Sequence, residues 1–231
     1  EPLSVKDLDQ LTDLAQRHHY RLYCQPKGPD SIHLHHPSET SPLMQYTLPE
    51  FDLTFDFHPS QFIQVNPSMN RAMITQALYH LELSPTDHVL DLFCGIGNFS
   101  LPMATQCQQV IGIEGDNTAV QQASLNADQN GLTNTRFFTA NLFEPDSESA
   151  WIQQPYDKVL LDPPRAGAKE ILPFLSTWKP SKIVYISCNP ATLARDTATL
   201  NSLNYRLSKA GMMDMFPHTQ HTEAMAVFDR N

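Results

Sequence analysis

Apolar residues follow two different patterns along this chain, and one pattern covers most of it. From about residue 88 onward, short and nearly continuous apolar runs alternate with stretches in which apolar residues recur every three or four positions. The runs are typical of buried strands, and the stretches between them of amphipathic helices. Such an alternation predicts a mostly parallel sheet with helices on both faces. The predicted strands are HVLDLF, VIGIE, TRFFTA, DKVLLD, KIVYISC and EAMAVF.

The chain before this alternation has a different pattern. Apolar residues recur at helical spacing from Val5 to Gln16, and three later segments alternate as half-buried strands do, namely LYCQPKG, SIHLHH and LTFDFHP. Asn66 and Pro67 are then a good N-cap and a good first residue for a helix that leads into the main domain. We therefore expect a small α+β appendage, itself part of a central domain, in residues 1–60 and the main α/β domain in residues 61–231.

Composition narrows the class of protein. A chain of 231 residues that is 41% hydrophobic can bury a sizeable core, and no apolar run is long enough to span a membrane. We therefore expect a soluble cytoplasmic protein. The 15 basic and 25 acidic residues give a net charge of −10, so a nucleic-acid substrate would need a local basic surface or one supplied by further sequence. No C-x-x-C pair is present, which argues against a zinc knuckle or an iron–sulfur set built from Cys24, Cys94, Cys107 and Cys188.

The segment DLFCGIGNF is the first candidate ligand site. It ends a predicted strand and opens a helix, where open α/β sheets bind ligands, and Gly95 and Gly97 permit a tight turn. Ser100 breaks the G-x-G-x-x-G pattern of dinucleotide sites. Glu114 ends the next strand and is placed to accept hydrogen bonds from ribose hydroxyls. The alternative is a structural turn followed by an exposed glutamate.

Cys188 is the second candidate. Asn189 and Pro190 predict a helix that begins just after it, and a helix N-terminus favours thiolate over thiol. The strand KIVYIS would deliver the sulfur to the same sheet edge as Gly95 and Asp162. The local sequence leaves two interpretations open, because a buried, inert thiol is the usual state of a cysteine in an apolar strand.

Several motifs together identify a family. DLFCGIGNFSLPMA, IEGD, LLDPPRAG, YISCNPATLARD and DMFPHTQHTEAM, in this order, resemble the RNA uracil-C5 methyltransferases that use S-adenosylmethionine (SAM). The resemblance is closest to members that modify large-subunit (23S) ribosomal RNA. It runs from about Phe51 to the C-terminus and is weaker over the first 50 residues. It implies a class I SAM-dependent methyltransferase fold, which is Rossmann-like with a mostly parallel seven-stranded sheet.

The resemblance also implies roles for individual residues. Cys188 would be the nucleophile that adds to C6 of uracil, and Glu223 the base that removes the C5 proton. By sequence alone, a solvated glutamate that opens a strand is the favoured interpretation of Glu223, and only the motif reverses it. The nearby His218 and His221 would share in proton handling or order their loop. The residues implied to line the SAM site are Gln64, Phe93, Asn98, Glu114, Asn141 and Asp162.

The substrate implied is one uridine of 23S ribosomal RNA, which must be extruded from the folded RNA. Phe62 is either a stacking platform for that base or a core residue. A basic rim for phosphates, or else solvated single charges, would be Arg71, Arg165, Lys169, Arg195 and Lys209. We expect a monomer that needs no protein partner and no membrane. The alternatives are a paralogue acting on transfer RNA or on another ribosomal uridine, a SAM-binding fragment without RNA activity, and a small-molecule or protein methyltransferase.

Two family features are not found in this sequence. Full members carry an N-terminal oligonucleotide-binding (TRAM) domain and four cysteines that hold an iron–sulfur cluster. The chain begins at Glu1 without an initiator methionine, so we expect a piece of a longer protein. No metal ligand set is predicted in the chain itself. His33, His35 and His36 form a histidine-rich strand, but no third ligand for the His33–His35 face is evident, so we interpret that face as polar surface.

Overall fold

The structure is a computed structural model that describes residues 3–215, 218–219 and 222–231. The chain divides into two units. The smaller unit contains the described residues up to Tyr46 together with Phe55–Phe62, and the larger contains Thr47–Thr54 and the described residues from Ile63 onward. The domain boundary placed after residue 60 stays a prediction. None of the described helices is both long enough and apolar enough to cross a membrane.

The smaller unit begins with helix α1, Val5–His18. A capping box starts this helix, because the Ser4 hydroxyl accepts the Asp7 N–H at 3.2 Å and the Asp7 carboxylate accepts the Ser4 N–H at 3.0 Å. Strands β1 (Leu22–Cys24) and β2 (His33–His36) pair antiparallel, and α1 contacts both. The predicted helix and both predicted strands are thereby confirmed.

A second two-stranded sheet joins β3, Met44–Leu48, to β4, Leu53–Phe57. The side chains of β4 alternate between buried and half-buried, as its sequence predicts. Strand β3 was not predicted, although its pattern also alternates, because it is short and lies between prolines. The Tyr46 and Phe55 rings stack with centroids 4.8 Å apart.

The larger unit is built on a seven-stranded sheet with the order β10-β11-β9-β8-β5-β6-β7. Five strands are parallel, β11 runs antiparallel to β9, and β10 runs antiparallel to β11, which confirms the mostly parallel sheet. The strands are β5 (His88–Leu92), β6 (Gln109–Glu114), β7 (Thr135–Thr139), β8 (Lys158–Leu161), β9 (Lys182–Ser187), β10 (Tyr205–Met213) and β11 (Glu223–Arg230). The helices are α2 (Pro67–Leu81), α3 (Ser100–Ala104), α4 (Asn117–Gln129), α5 (Leu175–Trp178) and α6 (Pro190–Ser202).

The strand order creates a switch point at the carboxyl edge of the sheet. From β5 the chain moves to β6 and β7 on one side, and then returns to place β8 and β9 on the other side of β5. The loops that leave β5 and β8 therefore diverge and open a crevice between them, which is where doubly wound sheets bind ligands. Phe93, Asp162 and Cys188 each directly follow one of these strands.

A carboxyl group is buried inside the central strand. Asp91 on β5 is fully buried, and its carboxylate accepts a hydrogen bond from the Ser100 hydroxyl. Its other oxygen, Oδ1, has no hydrogen-bond partner within the part of the chain that the structure describes. Burial, with the charges of Asp162 and Glu114, raises the pKa of Asp91 to about 8 despite the Ser100 hydrogen bond. Asp91 is therefore protonated at neutral pH.

This pKa predicts how stability depends on pH. The pKa of Asp91 is about 8 in the folded chain against 3.8 for an exposed aspartate, so the folded state binds more protons between these values and stability falls as pH rises through them. Asp91→Asn removes this contribution. We expect the melting temperature of the wild-type protein to fall several degrees more than that of the variant between about pH 5 and about pH 8, at about 2–4 °C per kcal/mol.

The observable is the slope of the melting temperature against pH. The melting temperature itself is lower in the variant at every pH, because the asparagine amide leaves a buried donor unpaired. Asp128→Asn, which removes an exposed carboxylate from α4, is the control and should keep the wild-type slope. Equal slopes for Asp91→Asn and the wild-type protein would contradict a neutral Asp91.

Candidate active site

The turn after β5 has an unusual backbone. Phe93, Gly95 and Gly97 have φ angles of 64°, 54° and 91°. The N–H groups of Phe93 and Cys94 donate to the Ile113 carbonyl oxygen at 2.9 and 3.1 Å, which fastens the turn to β6. A Cβ at Gly97 would lie 2.5 Å from Leu101 Cδ1, whereas no atom of the described residues lies within 4 Å of a Cβ at Gly95. A side chain at Gly97 would therefore displace the buried Leu101 side chain and strain a backbone with φ of 91°, whereas the space at Gly95 is open.

The predicted helix after this turn starts later than expected. A helix from about Asn98 was predicted, but residues 95–99 form turns and α3 spans only Ser100–Ala104. The glycine turn is therefore longer than the sequence indicates.

Glu114 is bound to this turn. One carboxylate oxygen accepts the Gly95 N–H at 3.1 Å, and the other accepts the N–H groups of Gly115 and Asp116 at 2.7 and 3.1 Å. The side chain is half-buried. These contacts hold the carboxylate beside the open space at Gly95, and they do not fit the alternative of an exposed, solvated glutamate.

Asn98 is held by a residue that the sequence analysis did not select. Its side-chain amide exchanges hydrogen bonds of 2.9 and 3.0 Å with Asn70, which is buried on α2. At the start of α2, the Asn66 side chain accepts the Met69 N–H at 3.2 Å and donates to the Met215 carbonyl oxygen at 3.3 Å. An asparagine in the first turn of a helix carries no signal of such a contact, so Asn70 could not be found by pattern.

Phe93 and Asn141 both contact Phe143. The Phe93 ring packs against Phe143 with centroids 5.8 Å apart, and Asn141 Oδ1 accepts the Phe143 N–H at 3.0 Å. Asn141 is exposed, and its amide also lies 3.4 Å from the Glu144 carboxylate. These are the contacts of an ordinary polar turn after a strand. Gln64 is half-buried in the segment before α2.

Asp162 follows β8 at the switch point. Its N–H donates to the Leu92 carbonyl oxygen at 3.3 Å, which continues the pairing of β8 with β5. Burial raises the pKa of Asp162 to about 7, and the negative charge of Glu223 adds to this effect. The two prolines after Asp162 restrict the backbone as it leaves the sheet.

Cys188 and Glu223 meet across two antiparallel strands. The register of β9 and β11 pairs Ser187 with Ala224, so one further step places Cys188 opposite Glu223. Cys188 is half-buried and Glu223 is buried, with 8% of its surface exposed. The pKa of Glu223 is raised by burial, while the positive charge of Arg165 acts in the opposite direction. The structure therefore brings together Cys188, Glu223 and Asp162.

The helix N-terminus was expected to favour the thiolate form of Cys188, and this expectation was wrong. Asn189 is the N-cap of α6 and Pro190 its first residue, as predicted, but the pKa of the Cys188 thiol is raised and not lowered. Burial is the main cause, followed by the negative charges of Glu223 and Asp162, and Arg165 opposes them only in part. Cys188 is therefore a thiol at neutral pH.

A buried network holds the segments that carry these residues. The Asp196 carboxylate, fully buried on α6, accepts the Tyr185 hydroxyl at 2.7 Å and the Ala168 N–H at 2.8 Å. The Asn189 amide donates to the Arg165 carbonyl oxygen at 3.1 Å. The loop after Asp162 is thus fastened to the start of α6 beside Cys188.

Several residues of the predicted basic rim interact with other side chains of this chain. Arg195 forms an ion pair with Asp196 at 2.7 Å, and Arg71 forms one with Glu50. Lys209 lies over the Tyr79 ring, 5.7 Å from its centroid. Arg71, Arg195 and Lys209 thus have intramolecular partners, which weakens the idea of a continuous phosphate-binding rim.

Two further predictions concern Phe62 and the loop before β11. Phe62 is 78% exposed, which excludes the core-packing interpretation. His218 is described, with a φ of 68°, but His221 lies outside the described residues, as do Phe216, Pro217 and Gln220 of the DMFPHTQHTEAM motif.

Comparison with known proteins was made by sequence and by structure. The sequence model of the family described as tRNA (Uracil-5-)-methyltransferase matches residues 44–144 and 151–231. The "23S rRNA (uracil(1939)-C(5))-methyltransferase RlmD" of Legionella pneumophila (strain Paris) is 47% identical over 230 residues, which cover 99% of this chain and 52% of that protein. Its counterpart in Xanthomonas campestris pv. campestris (strain 8004) is 46% identical over 231 residues, or 100% of this chain and 52% of that protein. The chain thus spans about half the length of these relatives.

Solved structures agree with the sequence comparison. The tRNA (uracil-54, C5)-methyltransferase of Pyrococcus abyssi, in complex with S-adenosyl-L-homocysteine, superposes with a TM-score of 0.68 at 31% identity, covering 81% of this chain and 44% of that one. M. jannaschii TYW2 in complex with AdoMet superposes with a TM-score of 0.64 at 16% identity, over 91% of this chain and 94% of that one, which shows the shared fold alone. The predicted class I SAM-dependent methyltransferase fold is thereby confirmed, and the chain belongs to the RNA (uracil-5-)-methyltransferase family.

Proposed function

We propose that this chain is the catalytic part of a SAM-dependent enzyme that methylates C5 of a uridine in 23S ribosomal RNA. The observation that carries the proposal is the position of Cys188. Its half-buried thiol lies opposite the buried Glu223 and near Asp162, at the sheet edge that also holds the glycine turn. Carbon methylation of uracil requires a nucleophile and a base beside the bound cofactor.

The crevice fits SAM in its chemistry. The open space at Gly95 lies beside the Glu114 carboxylate, which can accept hydrogen bonds from ribose hydroxyls. Asp162 offers a half-buried carboxyl group to a cofactor that carries positive charge. The Phe93 ring and the Asn98 amide flank the same turn, and by family resemblance Gln64 and Asn141 complete the binding residues. When bound, SAM supplies an electrophilic methyl group on a sulfonium centre.

The role of Glu114 can be tested by calorimetry with SAM. In Glu114→Gln, the carboxylate that would accept ribose hydroxyls is lost, together with a charged acceptor for three backbone N–H groups. A charged hydrogen bond contributes about 1.5–3 kcal/mol, so we expect the dissociation constant for SAM to rise about 10- to 100-fold. Asp128→Asn, on the exposed face of α4, should bind as the wild-type protein does. An unchanged affinity in a folded Glu114→Gln protein would remove Glu114 from the site.

Cys188 and Glu223 act in two successive steps of the reaction. Cys188 adds to C6 of uracil, which makes C5 nucleophilic enough to take up a methyl group. Glu223 then removes the proton from C5, so that the C5–C6 double bond re-forms and the sulfur leaves. The raised pKa of Glu223 suits this task, because a base is most effective when its pKa lies nearer the working pH.

The raised pKa of Cys188 implies that thiolate formation is coupled to ligand binding. In the free chain, the carboxyl groups of Glu223 and Asp162 oppose a negative charge on the sulfur. A positively charged cofactor in the crevice would offset them. This order of events would keep the thiol unreactive until the cofactor is in place.

RNA recognition is supported mainly by the relatives. The exposed Phe62 ring is available to stack on an extruded base, and Lys169 is an exposed cation in the loop after Asp162. The net charge of −10 indicates that most of the affinity for RNA would come from residues outside this chain. We propose that the enzyme acts as a monomer, in the cytoplasm where ribosomal RNA is assembled.

The decisive experiment is methyl transfer from labelled SAM to unmodified 23S ribosomal RNA, with the product mapped by mass. We expect label on C5 of one uridine, and label on cytosine or on an exocyclic amine would contradict the proposal. Transfer RNA is the second candidate substrate, because the family description and the Pyrococcus abyssi structure both name it. A SAM-binding fragment is a further alternative, since the chain spans about half the length of its relatives. It would bind SAM in calorimetry and methylate neither RNA.

A further inference from the structure

A cluster of metal-binding side chains lies in the smaller unit. The antiparallel register of β1 and β2 places Cys24 directly opposite His33, and His35 lies two residues further along the same face of β2. The Cys24 sulfur and one ring nitrogen from each histidine all lie within 4.8 Å of one another. No third ligand was recognised in the sequence, because Cys24 is distant from the histidines until the strands pair.

We propose that Cys24, His33 and His35 form a zinc site. Thiolate and imidazole are the ligands that Zn²⁺ prefers, and they favour tetrahedral geometry. Zn–S and Zn–N bonds of about 2.3 and 2.0–2.1 Å would set the ligand atoms about 3.3–3.6 Å apart. The largest separation here exceeds this by at most about 1.5 Å, which small side-chain rotations can close.

The loop between β1 and β2 fixes the position of the proton on the His33 ring. The Ser31 carbonyl oxygen lies 3.0 Å from His33 Nδ1, and because a carbonyl can only accept, Nδ1 carries the proton. The lone pair of His33 is then on Nε2. Such a contact, from the second ring nitrogen to a carbonyl, is typical of metal-bound histidines. Ser31 is itself held, since its hydroxyl accepts the Lys27 N–H at 2.9 Å and donates to the Gly28 carbonyl oxygen at 2.7 Å.

The cluster is accessible to solvent, and its cysteine is not part of a disulfide. His33 is exposed, while Cys24 and His35 are half-buried. Cys24 is a free thiol, and the other three cysteines belong to the larger unit. The fourth coordination position would be open to water, so we expect weaker binding than in a four-ligand structural site. A metal here would link β1 to β2, and a two-stranded hairpin is only marginally stable alone.

Cobalt substitution tests the proposal without SAM or RNA, so its outcome is independent of the proposed methyl transfer. Untagged protein is freed of metal with a chelator, titrated with Co²⁺ and then with Zn²⁺. We expect one equivalent of Co²⁺ to give a thiolate-to-cobalt charge-transfer band and the strong visible bands of tetrahedral cobalt, and one equivalent of Zn²⁺ to abolish both. Second-shell changes weaken metal sites about 10- to 100-fold, so loss of a ligand should cost at least about 100-fold.

Three variants separate the ligands from their surroundings. Cys24→Ser should lose the charge-transfer band, and both Cys24→Ser and His35→Asn should bind Zn²⁺ at least about 100-fold more weakly. His36→Asn, on the opposite face of β2, should behave as the wild-type protein does. The proposal is overturned if wild-type protein shows no thiolate–cobalt band, if Cys24→Ser retains it, or if His36→Asn loses it. Because the band is read in the wild-type protein, misfolding of a variant cannot conceal the result.

Discussion

Cys188→Ala is expected to abolish methyl transfer to RNA while leaving SAM binding nearly unchanged. The sulfur is the only group of the cysteine that the proposed reaction uses, and without it C5 of uracil cannot be made nucleophilic. Removing a covalent nucleophile lowers turnover by on the order of 10³-fold or more. SAM affinity, measured by calorimetry, should stay within about twofold, because the residues proposed to hold the cofactor are retained.

RNA containing 5-fluorouridine makes the role of Cys188 directly visible. Fluorine at C5 cannot leave as the proton does, so the reaction stops at a covalent protein–RNA complex that survives denaturing gel electrophoresis. We expect this complex with the wild-type protein and SAM, and none with Cys188→Ala.

The matched control is Cys107→Ala. Cys107 precedes β6 and therefore lies at the amino edge of the parallel sheet, opposite the edge that carries Cys188. This variant should form the complex at the wild-type rate. A covalent complex with Cys188→Ala would show that another group is the nucleophile, and normal methylation by Cys188→Ala would remove the covalent mechanism altogether.

The fold could be predicted from the sequence because its buried strands have a strong and local signal. Strands β5, β6, β8 and β9 are buried along most of their length, so they read as continuous apolar runs. The edge strand β10 is exposed at most positions and has no such run. It was missed as a segment, and only the family resemblance implied a seventh strand.

The candidate site was predictable in its members but not in its electrostatics. The position of Cys188 at a helix N-terminus can be read from Asn189 and Pro190, which are adjacent in sequence. The carboxyl groups that raise its pKa belong to Asp162 and Glu223, which approach it only when β8, β9 and β11 pair. A local pattern therefore predicted a thiolate where the assembled site holds a thiol. The same limit applies to the Cys24 cluster, whose ligands meet only through strand pairing.

Glu223→Gln is expected to stop the reaction after the methyl group has been transferred. Glutamine keeps the size of the side chain, but it cannot accept the C5 proton, so the sulfur cannot be expelled. A general base contributes about 10²- to 10⁴-fold to a rate, and we expect turnover to fall by this factor. With natural uridine RNA, this variant should accumulate the covalent complex that the wild-type protein resolves.

Asp162 is the obvious competitor for the role of base, and the experiment distinguishes the two. Its pKa of about 7 would also suit proton removal, and its carboxyl group is close enough to Glu223 to be influenced by its charge. If Asp162 were the base, Asp162→Asn would accumulate the complex and Glu223→Gln would not. We instead expect Asp162→Asn to weaken SAM binding without accumulating the complex. Asp229→Asn, at the far end of β11, controls for loss of a carboxylate from the same strand and should turn over normally, because its partly exposed ion pair with Lys182 contributes little. A Glu223→Gln protein that is inactive and accumulates no complex would show that Glu223 acts before the adduct forms, which would contradict its assignment as the base.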